Sequence, residues 1–475
     1  MLLARTLGAC ANAAPPSAPK VVVVGGGYGG ATAARYLRLW SGATIDVTLV
    51  ERDAAFVSCP LSNLVIGGSK QLADITVGYG GLEKLGVRRI RGDAVAIEAS
   101  ARTVALAQGE TLPYDRLILA PGVDFVYDGI PGLRSLAAQA LVPHAWKAGP
   151  QTVALRARLE AMHDGGVFAI HVPRAPYRCP PGPYERACQV ANYFLRQKPK
   201  SKVIILDANE EVQSKKALFT AAWSGRYRGY VEYRPNSELV DVDPASSTIK
   251  LDFEEVRADV INVIPPQRAG AITRQMGIAN ANGSFCQVDF LSYESTAQKY
   301  IHVLGDAIQT APLMPKSGHM ANQHGKVCAA AVVALLSDKE INPSPLSPTP
   351  ATAISTTRRP RTSRRCMPTT ASRKRCWSCR VAEACRPRRA SRRRSMRTLG
   401  RATSGSTCWA EIFTPRIRRS SRAEPISTQW WHLVSSPHHD GVRYLHLIKY
   451  FASGMAQASV VQPCGATTNK LFWPQ

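Results

Sequence analysis

The chain has 475 residues, 60 Lys+Arg against 34 Asp+Glu, and a formal net charge of +26. With 45% hydrophobic and 20% charged residues, collagen-like, coiled-coil and wholly disordered readings are excluded. No run approaches the ~18 apolar residues of a membrane-spanning helix, and the length allows roughly two to four domains.

Met1 to Pro16 reads as the end of an export signal, with Arg5 followed by small and apolar residues up to Ala11-Asn12-Ala13-Ala14. Its apolar core is shorter than the ~7–15 residues such signals use. Leu7-Gly8-Ala9-Cys10 loosely fits a lipoprotein cleavage box, and a plain N-terminal extension is the alternative.

Val21 to Val24 is a buried-strand run, followed at once by Gly25-Gly26-Gly27-Tyr28-Gly29-Gly30. A helix is expected over Ala31 to Trp40 and a second strand over Ile45 to Val50, ending in Glu51 and Arg52. This is a strand, a Gly25-x-Gly27-x-x-Gly30 turn, a helix, a strand and an acid. Glycines at these positions allow a tight turn and let backbone approach a pyrophosphate at the helix N-terminus. An acid about 20 residues on accepts from ribose hydroxyls.

Two later stretches resemble two-dinucleotide-domain flavoproteins. Tyr114 to Gly122, containing Ala120 and Gly122, looks like the strand and turn that re-enter the first domain. Ile301 to Ala307, containing Gly305 and Asp306, looks like the second flavin motif, with a helix over Ala321 to Leu336 aimed at the cofactor. The order of the three motifs favours FAD over NAD in the first site.

A second strand–helix–strand unit runs from about Gly165 to Asp259. Its loop, Pro173 to Pro183, has one Gly and five Pro. Proline lacks the N–H that cradles phosphate, so no nicotinamide cofactor is expected there, and electrons must arrive and leave by other routes.

Six of the twelve cysteines precede Leu346, at positions 10, 59, 179, 188, 286 and 328. They are too scattered for a disulfide scaffold. Two stand out. Cys59 lies in Phe56-Val57-Ser58-Cys59-Pro60-Leu61-Ser62-Asn63, just after the ribose-binding acid; the alternative is a buried free thiol. Cys179 lies in the proline loop ahead of Glu185, a candidate proton acceptor; the alternative is a structural cysteine at a helix start.

The charge excess is local. Residues 1–346 carry a net +6, Ser347 to Arg422 carry +19, and Ala423 to Gln475 carry +1. The middle stretch has 20 Arg and one Lys, Lys374, against Glu383 and Glu411. Three readings compete for it. One is a basic disordered tail for nucleic acid. Another is a zinc site at Cys376-Trp377-Ser378-Cys379, which lacks a second ligand pair at finger spacing, so no metal is expected. The third is an out-of-frame translation of GC-rich DNA, whose CGN, GCN, CCN and TCN codons yield Arg, Ala, Pro and Ser.

Residues 19 to about 346 resemble the flavoprotein subunit of flavocytochrome c sulfide dehydrogenase, a relative of sulfide:quinone oxidoreductases. The resemblance is carried by Val21 to Gly30, Ser58 to Gly68, Pro143 to Gly149, Cys179 to Ala187, Lys198 to Asp207, Ala258 to Gly270 and Met314 to Ala330. It implies an α/β fold of two Rossmann-like dinucleotide-binding-type domains of the glutathione-reductase kind. The implied division is 1–18 export-signal remnant, 19–150 FAD-binding domain, 151–265 second Rossmann-like domain, 266–346 FAD-binding domain (return part), and 347–475 aberrant, disordered tail. It implies FAD joined covalently through a thioether to Cys59. Gly25, Gly27, Gly30, Glu51, Arg52, Pro60, Asn63, Ala120, Gly122, Gly305, Asp306, Lys316 and Gly318 would contact that cofactor. Cys179 matches the first cysteine of a redox disulfide, and Glu185 a nearby proton acceptor. Sulfide would be the substrate, a haem-bearing cytochrome c subunit the partner, and the periplasm the location; neither nucleic acid nor a transmembrane segment is expected.

The chain departs from this family at the second redox cysteine, which the resemblance places in a pattern Asn-Thr-Cys-Tyr-Ser. Here the same place reads Thr349-Pro350-Ala351-Thr352-Ala353. The codons AAC ACC TGC TAC AGC, read one base later, give that sequence. The expectation is a frameshift near Leu346 to Pro348, which removes the second cysteine and creates the Arg-rich stretch.

Overall fold

The computed structural model describes residues 17–312 and 314–343. Residues 1–16 of the export segment, Cys10, the Cys376/Cys379 pair, the site of the expected frameshift and the 347–475 tail lie outside the described residues.

In chain order, the elements that position the site begin with β1 (Lys20–Val24), α1 (Tyr28–Trp40), β2 (Asp46–Glu51), α2 (Ser62–Ile66), β3 (Arg88–Arg91) and β4 (Arg116–Leu119). Next come α3 (Pro150–Ala161), β5 (Val167–Val172), α4 (Gly182–Gln197), β6 (Lys202–Asp207), β7 (Val231–Arg234) and β8 (Val260–Val263). The chain then returns through β9 (Ile301–Val303) and α5 (Gly318–Leu335).

The first sheet has the order β9-β4-β1-β2-β3 and is parallel throughout. Val22 lies opposite Thr48 on one side and Leu117 on the other. Val21, Val22 and Val23 are almost fully buried, as expected of a parallel strand covered on both faces. From β1 the chain moves one way to β2 and later returns to the other side as β4. That reversal opens a crevice beyond the carboxyl ends of the strands.

The first helix begins at Tyr28, three residues earlier than expected, because Gly27 caps it with extended backbone. Its glycines answer to packing. A Cβ on Gly29 would lie 2.2 Å from Leu304 Cδ1, and one on Gly30 would lie 1.9 Å from the Gly25 carbonyl oxygen. Each such glycine weakens a helix by about 1 kcal/mol relative to Ala, which close packing must outweigh. Helix α5 lies against α1, where Asn322 Nδ2 donates to Thr32 Oγ1 at 2.8 Å.

The second sheet has the order β7-β6-β5-β8, again parallel. Ile204, Leu206 and Val263 share a core with Val242, Ile249 and Val256. The latter three belong to a small antiparallel sheet of Leu239–Asp243, Thr248–Leu251 and Glu255–Arg257. Burying each such side chain stabilises by about 1.5–3 kcal/mol. This sheet is fixed independently of the first, so the two present their loops toward each other as rigid edges. Among the described residues no helix is long and apolar enough to cross a membrane.

Candidate active site

A cleft of about 820 Å3, part of it open to solvent, lies at the carboxyl end of the first sheet. Gly27, Cys59, Pro60, Asn63, Ala120, Gly122, Cys179, Gly305, Asp306 and Gly318 line it. Residues from six distant stretches of the sequence thus meet in one place. Gly25, Gly30, Glu51, Arg52, Glu185 and Lys316 stand behind that lining or away from it.

The cleft suits a dinucleotide on three local grounds. Gly27 opens onto it, with no atom within 4 Å of a Cβ added there, so a phosphate can approach the backbone. Asp306 Oδ1 is buried and has no hydrogen-bond partner, a state that a ligand hydroxyl would relieve. Gly318, at the start of the 18-residue helix α5, faces the cleft, and a helix N-terminus favours anionic groups. Gly25 holds the turn: its φ is +98°, and an added Cβ would lie 2.4 Å from the Ala120 carbonyl oxygen.

Glu51 accepts from the Gly26 N–H at 2.6 Å and from the Asp53 N–H at 2.9 Å. The expected ribose-binding acid therefore also ties the glycine turn to the end of β2. Arg52 is exposed and pairs with Asp93 at 2.7 Å. Lys316 Nζ donates to the backbone carbonyls of Asp306 and Ile308 and lies 3.6 Å from the centre of the Phe285 ring. Burial lowers its pKa to about 8, with the Asp306 carboxylate opposing.

Cys179 is held in the left-handed region, with φ +60°. A non-glycine residue there is uncommon and persists only when its surroundings enforce it. Its N–H donates to the Lys316 carbonyl at 2.7 Å, and its carbonyl accepts from Gly182 N–H at 2.8 Å. Burial, and after it the Glu185 carboxylate, push the thiol up to about 12. Cys59 also lines the cleft; its Sγ accepts from the Ala148 N–H at 3.4 Å. The five described cysteines, at 59, 179, 188, 286 and 328, are all free.

Glu185 sits in the first turn of α4. Burial raises its pKa, while a hydrogen bond from Asn63 and the charge of Arg186 oppose that. Asn63 Nδ2 donates to Glu185 Oε2 at 3.0 Å, and Asn63 Oδ1 accepts from Arg186 Nε at 3.0 Å. Asn63 thus binds its neighbours rather than standing free.

Four lining residues had no role in the sequence reading: Tyr28, Trp146, Arg178 and Arg186. Arg186 is 1% exposed. Besides Asn63 it donates to Asn262 Oδ1 at 2.8 Å and to the carbonyls of His144 and Ala145 at 2.9 and 2.7 Å. The signal was present: Arg186 shares the helix stripe of Val190 and Phe194, at spacing i, i+4, i+8, where a charge is out of place. Tyr28 meets Ser58 Oγ at 2.5 Å. Trp146 Nε1 donates to the Arg178 carbonyl at 3.0 Å.

In the second sheet the corresponding crevice is filled by protein. The loop amides of Ala175, Arg178 and Cys179 donate to Asn209, Gln267 and Lys316. Asp207, the acid at the end of β6, is buried and accepts from Tyr184 and Tyr233 hydroxyls at 2.7 and 3.0 Å. Tyr184 packs beside Phe219 and Trp223. The groups that would hold a nucleotide elsewhere are here engaged with side chains.

Two family models match the chain. Residues 152–265 match "Sulfide dehydrogenase [flavocytochrome c] flavoprotein chain, central", and residues 19–155 match "Pyridine nucleotide-disulphide oxidoreductase". The sulfide dehydrogenase [flavocytochrome c] flavoprotein chain of Chlorobaculum thiosulfatiphilum is 61% identical over 46 residues, 10% of this chain and 94% of that sequence. The mitochondrial sulfide:quinone oxidoreductase of Dictyostelium discoideum is 22% identical over 297 residues, 60% of this chain; the chain spans 65% of its length. The solved sulfide:quinone oxidoreductase of Aquifex aeolicus superposes with a TM-score of 0.59 at 19% identity, over 68% of this chain and 78% of that one. That likeness establishes the two-domain α/β fold.

Proposed function

Because the chain belongs to the family of flavocytochrome c sulfide dehydrogenase flavoprotein chains, we propose that its core is built for FAD-dependent oxidation of sulfide to sulfur or polysulfide. Electrons would leave to a haem-bearing cytochrome c subunit in the periplasm. The observation that carries this reading is the meeting of Cys59, Cys179 and Asp306 on one cleft.

Bound FAD supplies the acceptor for an electron pair. Gly27, Gly318 and Asp306 would hold it, and Cys59 would tether it by a thioether. Cys179 offers a sulfur for exchange with hydrosulfide, and Glu185, made more basic by burial, takes up a proton. Hydrosulfide attack on a disulfide forms one S–S bond and expels a thiolate. A lone Cys179 gives it no bond to break. The chain as written is therefore impaired, and the proposed frameshift accounts for the loss.

The two sulfide:quinone oxidoreductases among its relatives support a second reading, with a quinone as acceptor. The acceptor is tested by restoring the reading frame and supplying sulfide with either a c-type cytochrome or a soluble quinone. The proposal expects cytochrome reduction to be the faster by at least tenfold. Faster quinone reduction would favour the second reading, and reduction of neither would remove both.

A further inference from the structure

Two guanidinium groups, from Arg178 and Arg186, line the cleft beside Cys59 and Cys179. Arg186 is sealed in: its recorded acceptors are all neutral, the two Asn side chains and two backbone carbonyls named above. Among the described residues neither arginine has a carboxylate within ion-pair distance. The acids that face them are Glu185, which burial turns toward its neutral form, and Asp306, which burial also raises. The cleft around Cys179 therefore carries uncompensated positive charge in a setting where water screens little.

Arg178 differs from Arg186 in being half-exposed. Its Nη2 donates to the Trp146 carbonyl, which leaves other N–H donors on the guanidinium fork. It is also the residue immediately before Cys179, on a loop pinned by Gln267 and Lys316.

We infer that Arg178 is the residue that admits anions to the Cys179 sulfur, so that the nucleophile selected by the cleft is a small anion rather than its neutral acid. The identification of that anion with hydrosulfide rests on the proposed function; the selection itself does not. Arg178 acts here as a specificity-determining residue, and Arg186 supplies a fixed background charge that its four neutral acceptors hold in place.

The test uses two alkylating agents of similar size, iodoacetate and neutral iodoacetamide, on the FAD-loaded full chain. Labelling of the Cys179 peptide is followed by mass spectrometry at one pH. Both reagents consume the same thiolate, so their rate ratio cancels the fraction ionised and reads the local field. The expected iodoacetate-to-iodoacetamide ratio at Cys179 exceeds that of the urea-unfolded chain by about tenfold. Arg178→Gln lowers it toward the unfolded value, and Arg178→Lys retains it. A native ratio no higher than the unfolded one overturns the inference without any variant. So does an unchanged ratio in Arg178→Gln, including the case where that variant loses flavin instead, which would assign Arg178 to the cofactor. None of these readings involves sulfide turnover, so failure of the proposed reaction would be seen separately.

Discussion

Asn63 holds Glu185 and Arg186 with the two ends of one amide, donating to the carboxylate at 3.0 Å and accepting from the guanidinium at 3.0 Å. The amide is the one neutral group that can serve an anion and a cation at once. It fastens α2, which follows Cys59, to α4, which follows Cys179, and so sets the two cysteines on one cleft.

Replacing that amide should be expensive. Asn63→Leu strips a donor from Glu185 and an acceptor from Arg186, both buried, and is expected to destabilise by about 3 kcal/mol. Urea unfolding at pH 7 measures this. A loss below about 0.5 kcal/mol would show that the bridge carries no weight.

The glycines make opposite predictions. Gly30→Ala drives a Cβ into the Gly25 carbonyl and should lower stability with or without flavin. Gly27→Ala meets open space at an ordinary φ of −70°. It should leave apoprotein stability within about 0.5 kcal/mol while reducing FAD retention. Equal flavin content in Gly27→Ala and wild type would separate this turn from the cofactor.

His171 links stability to pH. It is 2% exposed, bonded through Nε2 to the Ser237 carbonyl at 3.1 Å, and burial lowers its pKa to about 4. The folded value lies below the unfolded value of about 6.5. The unfolded chain therefore gains the proton first, and the stability present above pH 6.5 is lost as pH falls toward 4. Between pH 7 and pH 5 the loss from this group is on the order of 2 kcal/mol. His171→Gln should show a correspondingly shallower decline in urea midpoint. An identical decline would contradict the assignment.

Cys59 and Cys179 differ in what their chemistry should reveal. A flavin tethered at Cys59 remains with the polypeptide after denaturation, and Cys59→Ala should release it. Full release from the wild type would argue against the tether. The Cys179 thiol, raised to about 12, should react with iodoacetamide at a rate still climbing at pH 10–11. An ordinary thiol levels off above its pKa of about 8.5, and a plateau there would contradict the burial of Cys179.

What was legible in the sequence was whatever rests on short-range geometry. The Gly25 to Gly30 turn, the strand before it and the acid after it need only local spacing, and β1, α1 and β2 follow it closely. The proline loop likewise announced that its amides could not cradle phosphate. Arg186 and Trp146 were missed because their positions come from the docking of α4 and the 143–149 segment onto the first domain. Glu51 and Asn63 show the converse: their residue types suggested ligand contacts, but folding also gave them protein partners. Arg52 had no local constraint at all, and it lies exposed beside Asp93.

Anaerobic titration of sulfide into FAD-loaded protein, followed by the visible flavin band, tests the central claim most directly. The frame-restored chain should bleach stoichiometrically with sulfide and remain oxidised with NADH, while the chain as written responds to neither. A restored chain that ignores sulfide but bleaches with NADH would contradict the account.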